Sequence, residues 1–171
     1  MLDLKSRVRD IPDFPKKGIL FRDITTLLKD AEAFQKVVDK FSAYYEDEAV
    51  DHVVGIESRG FILGAPLAYT LGAGFVPVRK PGKLPSDIYE ASYELEYGKD
   101  TLTVHQDAIT PGQRVLVVDD LLATGGTMAA TLDLLTKLGA KVVGVAFLIE
   151  LAELRGRDRL AGHQILSLIS Y

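Results

Sequence analysis

The chain has 171 residues, a hydrophobic fraction of 47%, a net charge of −4 and no cysteine. That length suits one domain able to bury a core without metal or disulfide staples, and the missing cysteines exclude disulfides and thiolate metal sites and fit a reducing cytosol. The acidic balance argues against nucleic acid as a partner, the longest apolar run, 142–149, is too short to cross a bilayer, and residues 1–10 carry five charges and no apolar block, unlike a signal peptide.

Residues 2–9 read as a short helix. Residues 13–22, with Pro12, Pro15 and Gly18 around them, read as an irregular segment wrapping over the body. Phe34, Val37, Val38, Phe41 and Tyr45 recur at helical spacing within 31–46. A strand at 52–56, a helix at 60–71 with an internal Pro66, and a strand at 75–78 follow. Residues 88–96 and 101–106 alternate as an antiparallel pair projecting from the main sheet, with Glu94 and Glu96 on one face and Tyr93, Leu95 and Tyr97 on the other. Strands at 113–118, 141–149 and 164–169, and a helix at 127–138, complete the set. Strand–helix alternation of this kind predicts an α/β fold with a mainly parallel sheet flanked by helices. No repeat, low-complexity tract or linker divides 1–171, so it reads as a single domain. His52, His105 and His163 lack ligand spacing and read as structural.

The densest chemistry lies in residues 115–127, Val-Leu-Val-Val-Asp-Asp-Leu-Leu-Ala-Thr-Gly-Gly-Thr. The apolar run 115–118 suits a strand covered on both faces. Asp119 and Asp120 then fall at its carboxyl end, where open α/β sheets place ligands. Ala123, Thr124, Gly125, Gly126 and Thr127 open the next helix, whose free N–H groups and positive dipole end cradle a phosphate. Two acids beside a phosphate cradle suit a ligand carrying both a phosphate and a diol, with Mg2+. Other phosphate motifs fail: Gly82-Lys83 and Gly98-Lys99 are followed by Leu84 and Asp100, not Ser or Thr, and Pro77 stands where a dinucleotide fingerprint needs its third glycine.

Ile56-Glu57-Ser58-Arg59-Gly60 repeats the strand–turn–helix logic with one guanidinium, suited to paired phosphate oxygens. Taken alone, Ser58 could simply cap that helix. Val78-Arg79-Lys80-Pro81-Gly82-Lys83-Leu84-Pro85 is a basic island bracketed by prolines in an acidic chain. It reads either as a solvated loop or as a hinged flap for an anionic ligand.

The string 115–127 resembles the signature of the phosphoribosyltransferases that bind 5-phosphoribosyl-1-pyrophosphate (PRPP), and the 57–60 turn resembles their pyrophosphate loop, which in related enzymes carries a cis peptide between non-proline residues. Asp13-Phe14-Pro15, Phe21-Arg22-Asp23-Ile24, Arg79 to Pro85 and Ala91 to Gly98 narrow the resemblance to the branch acting on adenine, over nearly the whole chain. The one departure is Glu57, where some relatives carry Asp.

The resemblance implies a type I phosphoribosyltransferase fold, with an N-terminal hood at about 8–27 and a flexible β-hairpin flap at about 80–100. It implies a purine salvage reaction, adenine plus PRPP giving AMP and pyrophosphate by displacement at the anomeric carbon. Asp119 and Asp120 would hold the ribose, and Ala123 to Thr127 the 5′-phosphate. Glu57, Ser58, Arg59, Gly60, Arg79, Lys80 and Lys83 would hold the pyrophosphate. Phe21 would stack on adenine while backbone groups of Leu20 and Arg22 read its amino edge. Glu96, Arg59 and Arg79 are the expected catalytic residues, Glu96 acting near N7 of the base. Mg2+ would be bound through the substrate's own oxygens, with no direct protein ligand and with Asp119 or Asp120 reaching it through water. A cytoplasmic homodimer is expected. Two alternatives stay open: a non-catalytic PRPP sensor, for which residues before the hood leave no room for a helix-turn-helix, and an enzyme using a 6-oxopurine.

Overall fold

A computed structural model describes residues 3–95 and 98–171. Strands β3 (His52–Ile56), β4 (Gly74–Val78), β7 (Arg114–Leu122), β8 (Lys141–Glu150) and β9 (Ile165–Ser170) form a parallel sheet in the order β4-β3-β7-β8-β9. Helices α1 (Thr25–Leu28), α2 (Ala31–Tyr45), α3 (Arg59–Leu71) and α4 (Gly126–Lys137) lie around it, and β1 (Arg9–Pro12) with β2 (Leu20–Asp23), and β5 (Ile88–Glu94) with β6 (Lys99–His105), make two antiparallel pairs.

Alternation along the strands divides the core in two. Val115 and Val117 pack with Met128, Leu134 and Leu135 of α4, while Leu116 and Val118 pack with Leu63 and Leu67 of α3 and Val37 and Phe41 of α2. Period-2 side chains feeding both faces explain why β7 is apolar throughout its first half. Helix α2 follows the same logic: Asp30 caps it by accepting from the Ala33 N–H at 3.1 Å, and Ala33, Val37, Phe41 and Tyr45 make a fully buried stripe.

The chain leaves β3 through α3 on one face to reach β4, then returns on β3's other side to β7 and leaves through α4 on the opposite face. The carboxyl ends of β3 and β7 therefore flank a topological switch point, where a crevice opens above the sheet.

Three expectations are corrected. The helix expected at 2–9 is a 3-10 turn, Lys5–Arg7, followed by β1; Leu2 lies outside the described residues. The segment 13–22 is not wholly irregular, because Leu20–Asp23 pairs with Arg9–Pro12 in the register Arg9↔Asp23 and Asp10↔Arg22. Opposite charges stand directly across from each other, with Arg9–Asp23 and Arg22–Asp10 contacts both at 2.5 Å, and such cross-strand pairs favour the ribbon. Strand β7 also continues past Val118 to Leu122, since β8 offers partners as far as Ile149 and Glu150. Asp119 and Asp120 are thus residues of the strand itself.

The β5–β6 hairpin is less free of the body than its alternation suggests. Leu102 and Val104 are buried in the core, Tyr89, Ala91 and Tyr93 pack against it, and Arg79 and Thr103 bridge it to the end of β4.

Candidate active site

Asp119 and Asp120, the turn after β3 and the start of α4 converge on one cleft of about 310 Å³, lined also by Lys80, Tyr93 and Leu121. A smaller pocket of about 60 Å³ lies beside it, between Thr124, Gly125, Gly126 and Phe147, with Asp119 and Thr127 on the rims of both. Helix α4 starts with Gly125 in the left-handed region (φ 85°), without a side-chain cap and without an acid in its first turn. Its first N–H groups lack a side-chain acceptor, as an anion site requires.

Close packing holds the two turns together. A Cβ on Gly60 would stand 3.0 Å from Asp119 Oδ1 and 3.0 Å from the Val118 carbonyl, so the start of α3 can lie against β7 only with glycine there. Burial, and then the charge of Asp120, push the Asp119 carboxyl well above the usual range, while it accepts from the Asp120 N–H at 2.9 Å. Arg59 Nε donates to Asp120 Oδ2.

The peptide Glu57–Ser58 is cis, and the Ser58 hydroxyl does not cap α3. Arg79 forks onto Glu57 through Nε at 3.1 Å and Nη2 at 3.0 Å, and the Lys80 N–H adds a bond at 3.2 Å. The guanidinium beside Glu57 holds its carboxyl below the usual range. On the opposite wall, Thr127 Oγ1 donates to Tyr93 Oη at 3.2 Å, Tyr93 Oη donates to Asp100 Oδ2 at 3.1 Å, and Lys80 Nζ also meets Asp100.

A second opening of about 420 Å³ lies under the β1–β2 ribbon, lined by Ile11, Phe14, Phe21, Asp23 and Arg59. Phe14 and Phe21 meet edge to face, with centroids 5.1 Å apart, and Ile11 stands directly across the ribbon from Phe21. Arg59 borders both openings.

A family model described as the phosphoribosyl transferase domain matches residues 23–163. The adenine phosphoribosyltransferase of Acaryochloris marina is 62% identical, over 99% of this chain and 100% of its own length. The chain belongs to the adenine phosphoribosyltransferase family. The crystal structure of the adenine phosphoribosyltransferase of Thermoanaerobacter pseudethanolicus superposes with a TM-score of 0.95 at 54% identity, covering 98% of both chains. That of Saccharomyces cerevisiae, complexed with an imino-altritol bisphosphate and adenine, superposes at 0.92 with 41% identity over 96% of both. The α/β architecture read from the sequence is therefore the type I phosphoribosyltransferase fold.

Against this adenine phosphoribosyltransferase framework, most residues singled out from the sequence gather at the cleft: Glu57, Ser58, Arg59, Lys80, Asp119, Asp120, Ala123 and Thr127, with Thr124, Gly125 and Gly126 in the adjoining pocket. Gly60 sits directly behind, on Asp119. Arg79 does not line either opening; its guanidinium is taken by Glu57 and, through Nη1 at 3.2 Å, by the Lys83 carbonyl. Lys83 is exposed on the loop. Phe21 lines the second opening, Leu20 is 46% exposed beside it, and Arg22 turns its side chain to Asp10 and the Tyr171 ring. Glu96 and Tyr97 lie outside the described residues. Sequence reading gave no individual site role to Ile11, Asp23, Asp100 or Tyr93, though Asp23 and Tyr93 lie in segments that carried the resemblance. The alternating Arg-Asp pairs of β1 and β2 were the available signal for the first two.

Proposed function

We propose that this chain joins adenine to the ribosyl carbon of PRPP, forming the N9–C1′ bond of AMP as the C1′–oxygen bond to pyrophosphate breaks. The observation carrying this reading is the junction at Arg59, where the cleft holding Asp119, Asp120 and Thr127 meets an opening walled by Phe14 and Phe21. A base in the pocket and a sugar phosphate in the cleft would meet at that residue. Membership of the adenine phosphoribosyltransferases, and the yeast relative's complex with adenine and an imino-altritol bisphosphate, support it.

Thr124 to Thr127 would hold the 5′-phosphate on the first N–H groups of α4. Asp119 and Asp120 would take the ribose hydroxyls and lend negative potential to an oxocarbenium-like sugar. The 57–60 turn, with Arg59 and Lys80, would receive the departing pyrophosphate, and Lys83 would approach with the loop. Arg79 contributes by fixing Glu57. Among the described residues no three His, Asp or Glu side chains gather as a metal site. A pair of adjacent carboxylates suits Mg2+ that keeps water and substrate oxygens as ligands, with Asp119 or Asp120 reaching it through water. When bound, the cation neutralises charge on the leaving group. Phe21 would stack on adenine; commitment of the Arg22 side chain to Asp10 and Tyr171 leaves its main chain, with that of Leu20, to read the amino edge. Glu96 would place a proton at N7 as N9 attacks.

Residues 1–171 act in this reading as one domain, with a hood at about 8–27 and a flap at about 80–100 that excludes water on closing. The outer side of α3 supports a homodimer: Ile62 is 42% and Tyr69 89% exposed, and the helix carries no charge beyond Arg59. No helix among the described residues is long and apolar enough to cross a membrane, and a cytoplasmic enzyme is the reading that the cysteine-free composition supports.

A screen of free bases with PRPP and Mg2+ tests the function. Adenine should exceed hypoxanthine and guanine by about a hundredfold in kcat/KM, because each donor–acceptor mismatch on a fixed backbone edge costs about 1–3 kcal/mol. Comparable use of hypoxanthine would overturn the hood assignment, and no nucleotide from any base would overturn the enzyme.

A further inference from the structure

The segment Gly156–Leu160, between β8 and β9, presses directly on the turn that opens α4. A Cβ on Gly125 would stand 2.6 Å from the Gly156 carbonyl, and one on Gly156 would meet Leu122 Cδ1 at 2.8 Å and the Ala123 carbonyl. Two glycines facing each other thus allow a contact that no other residues permit. The segment is pinned on both sides of Arg159. Leu160 is 1% exposed in the core, and Arg157 forks onto Glu150 with both contacts at 2.7 Å. Three arginines lie here, Arg155 just before the segment and Arg157 and Arg159 within it, and they differ in one respect. Arg155 pairs with Asp158 at 2.8 Å and Arg157 with Glu150, while Arg159 meets no carboxylate among the described residues. Its Nη1 stands instead 3.3 Å from where a Gly126 Cβ would be, beside the Tyr93 ring edge.

A guanidinium at the positive end of a helix has the wrong sign for a structural role. The first turn of α4 carries no acid to offset it. A bound dianion reverses the sign of the interaction, and a planar fork suits phosphate oxygens. We propose that Arg159 binds the phosphomonoester of the phosphoribosyl substrate at the 124–127 turn, as a side-chain cation supplied from outside the signature. This rests on the reading of that turn as the 5′-phosphate site. Arg159 would close over the phosphate from the β8–β9 side, opposite the ribose acids, and its exposed position gives it freedom to do so.

Titration calorimetry with ribose 5-phosphate, on the wild-type chain and on Arg159→Ala, Arg159→Lys and Thr127→Ala, separates this proposal from the reading beneath it. Arg159→Ala should weaken ribose 5-phosphate binding by about tenfold or more, in line with loss of a charged hydrogen bond, and should make the binding less sensitive to salt. Arg159→Lys should recover part of the loss. In steady state, Arg159→Ala should raise KM for PRPP while leaving kcat and KM for adenine within about twofold, as expected for contact with an unreacting phosphate. Arg159 is exposed and outside the core, so thermal melting should be nearly unchanged. Wild-type affinity in Arg159→Ala together with weakened binding in Thr127→Ala would overturn the role of Arg159 and leave the phosphate turn standing. Wild-type affinity in both would overturn the turn's assignment and Arg159 with it.

Discussion

Arg59 and Asp120, 61 positions apart, join the first residue of α3 to the carboxyl half of β7 through an Nε–Oδ2 contact. The pair forms the wall shared by the two openings, since Arg59 lines both and Asp120 lines the larger. Arg59 is 47% exposed at its side chain and Asp120 11%, so the pair as a stabiliser should contribute only about 1 kcal/mol. In the proposed function its value would lie in holding a cation between base and sugar phosphate. Arg59→Ala should lower kcat/KM by about a hundredfold or more while shifting Tm by only a few degrees. Steady-state kinetics beside a thermal melt checks both halves, and a large Tm loss with modest kinetic loss would make the pair structural.

The hydroxyl of Thr127 is engaged by Tyr93, which is itself held by Asp100. A phosphate that takes the Thr127 proton must compete with this contact. Tyr93→Phe should therefore lower KM for PRPP by about two- to fivefold at some cost in stability, about 1 kcal/mol for one hydrogen bond lost. A rise in KM would mean that Tyr93 contacts the substrate itself.

Glu57 and Arg79 act as one unit. Arg79 gives Glu57 two of its nitrogens and the Lys83 carbonyl a third, so it ties the 57–60 turn to the loop after β4. Arg79→Ala and Glu57→Ala should each raise KM for PRPP. The double variant should be little worse than either single one, with a coupling of about 1–3 kcal/mol in a double-mutant cycle. Additive losses would place Arg79 on the pyrophosphate independently of Glu57.

Acid should weaken the β1–β2 ribbon through Asp23. Hydrogen bonds from Arg9 and from Thr25 lower its carboxyl from 3.8 to about 2. A carboxyl lowered by folding contributes stability that is complete above its unfolded value and is lost as pH falls through the folded one. Asp23→Asn should thus flatten the stability curve between about pH 4 and pH 2 and leave its slope near neutrality unchanged. Denaturant melts across that range test it, and an unchanged acid slope would place the Asp23 interaction in the unfolded chain as well.

Local pattern was enough for much of this molecule. The apolar run 115–118, the Asp-Asp pair and the glycine–threonine turn read as strand, acids and phosphate cradle because each signal lies within a few consecutive residues. Helix α2 and strand β3 were legible for the same reason, and the family resemblance suggested roles for the separate motifs. The N-terminal ribbon was not legible. Its charges match only in the antiparallel register that sets Arg9 against Asp23 and Ile11 against Phe21, and register is a property of two segments together. The extension of β7 through both acids depended equally on β8 as its neighbour.

The amino-acid sequence by itself determined the α/β layering and the residue types of the site, because side-chain periodicity and turn chemistry act over short stretches of chain. Tertiary structure alone decided which of those residues meet. It set Arg59 on Asp120, tied Arg79 to Glu57 rather than to the cleft, closed Tyr93 on Thr127, and brought Arg159 to Gly126 through the facing glycines 125 and 156. Each of these contacts spans a long loop, and its formation depends on packing of the whole sheet and both flanking layers rather than on any local preference.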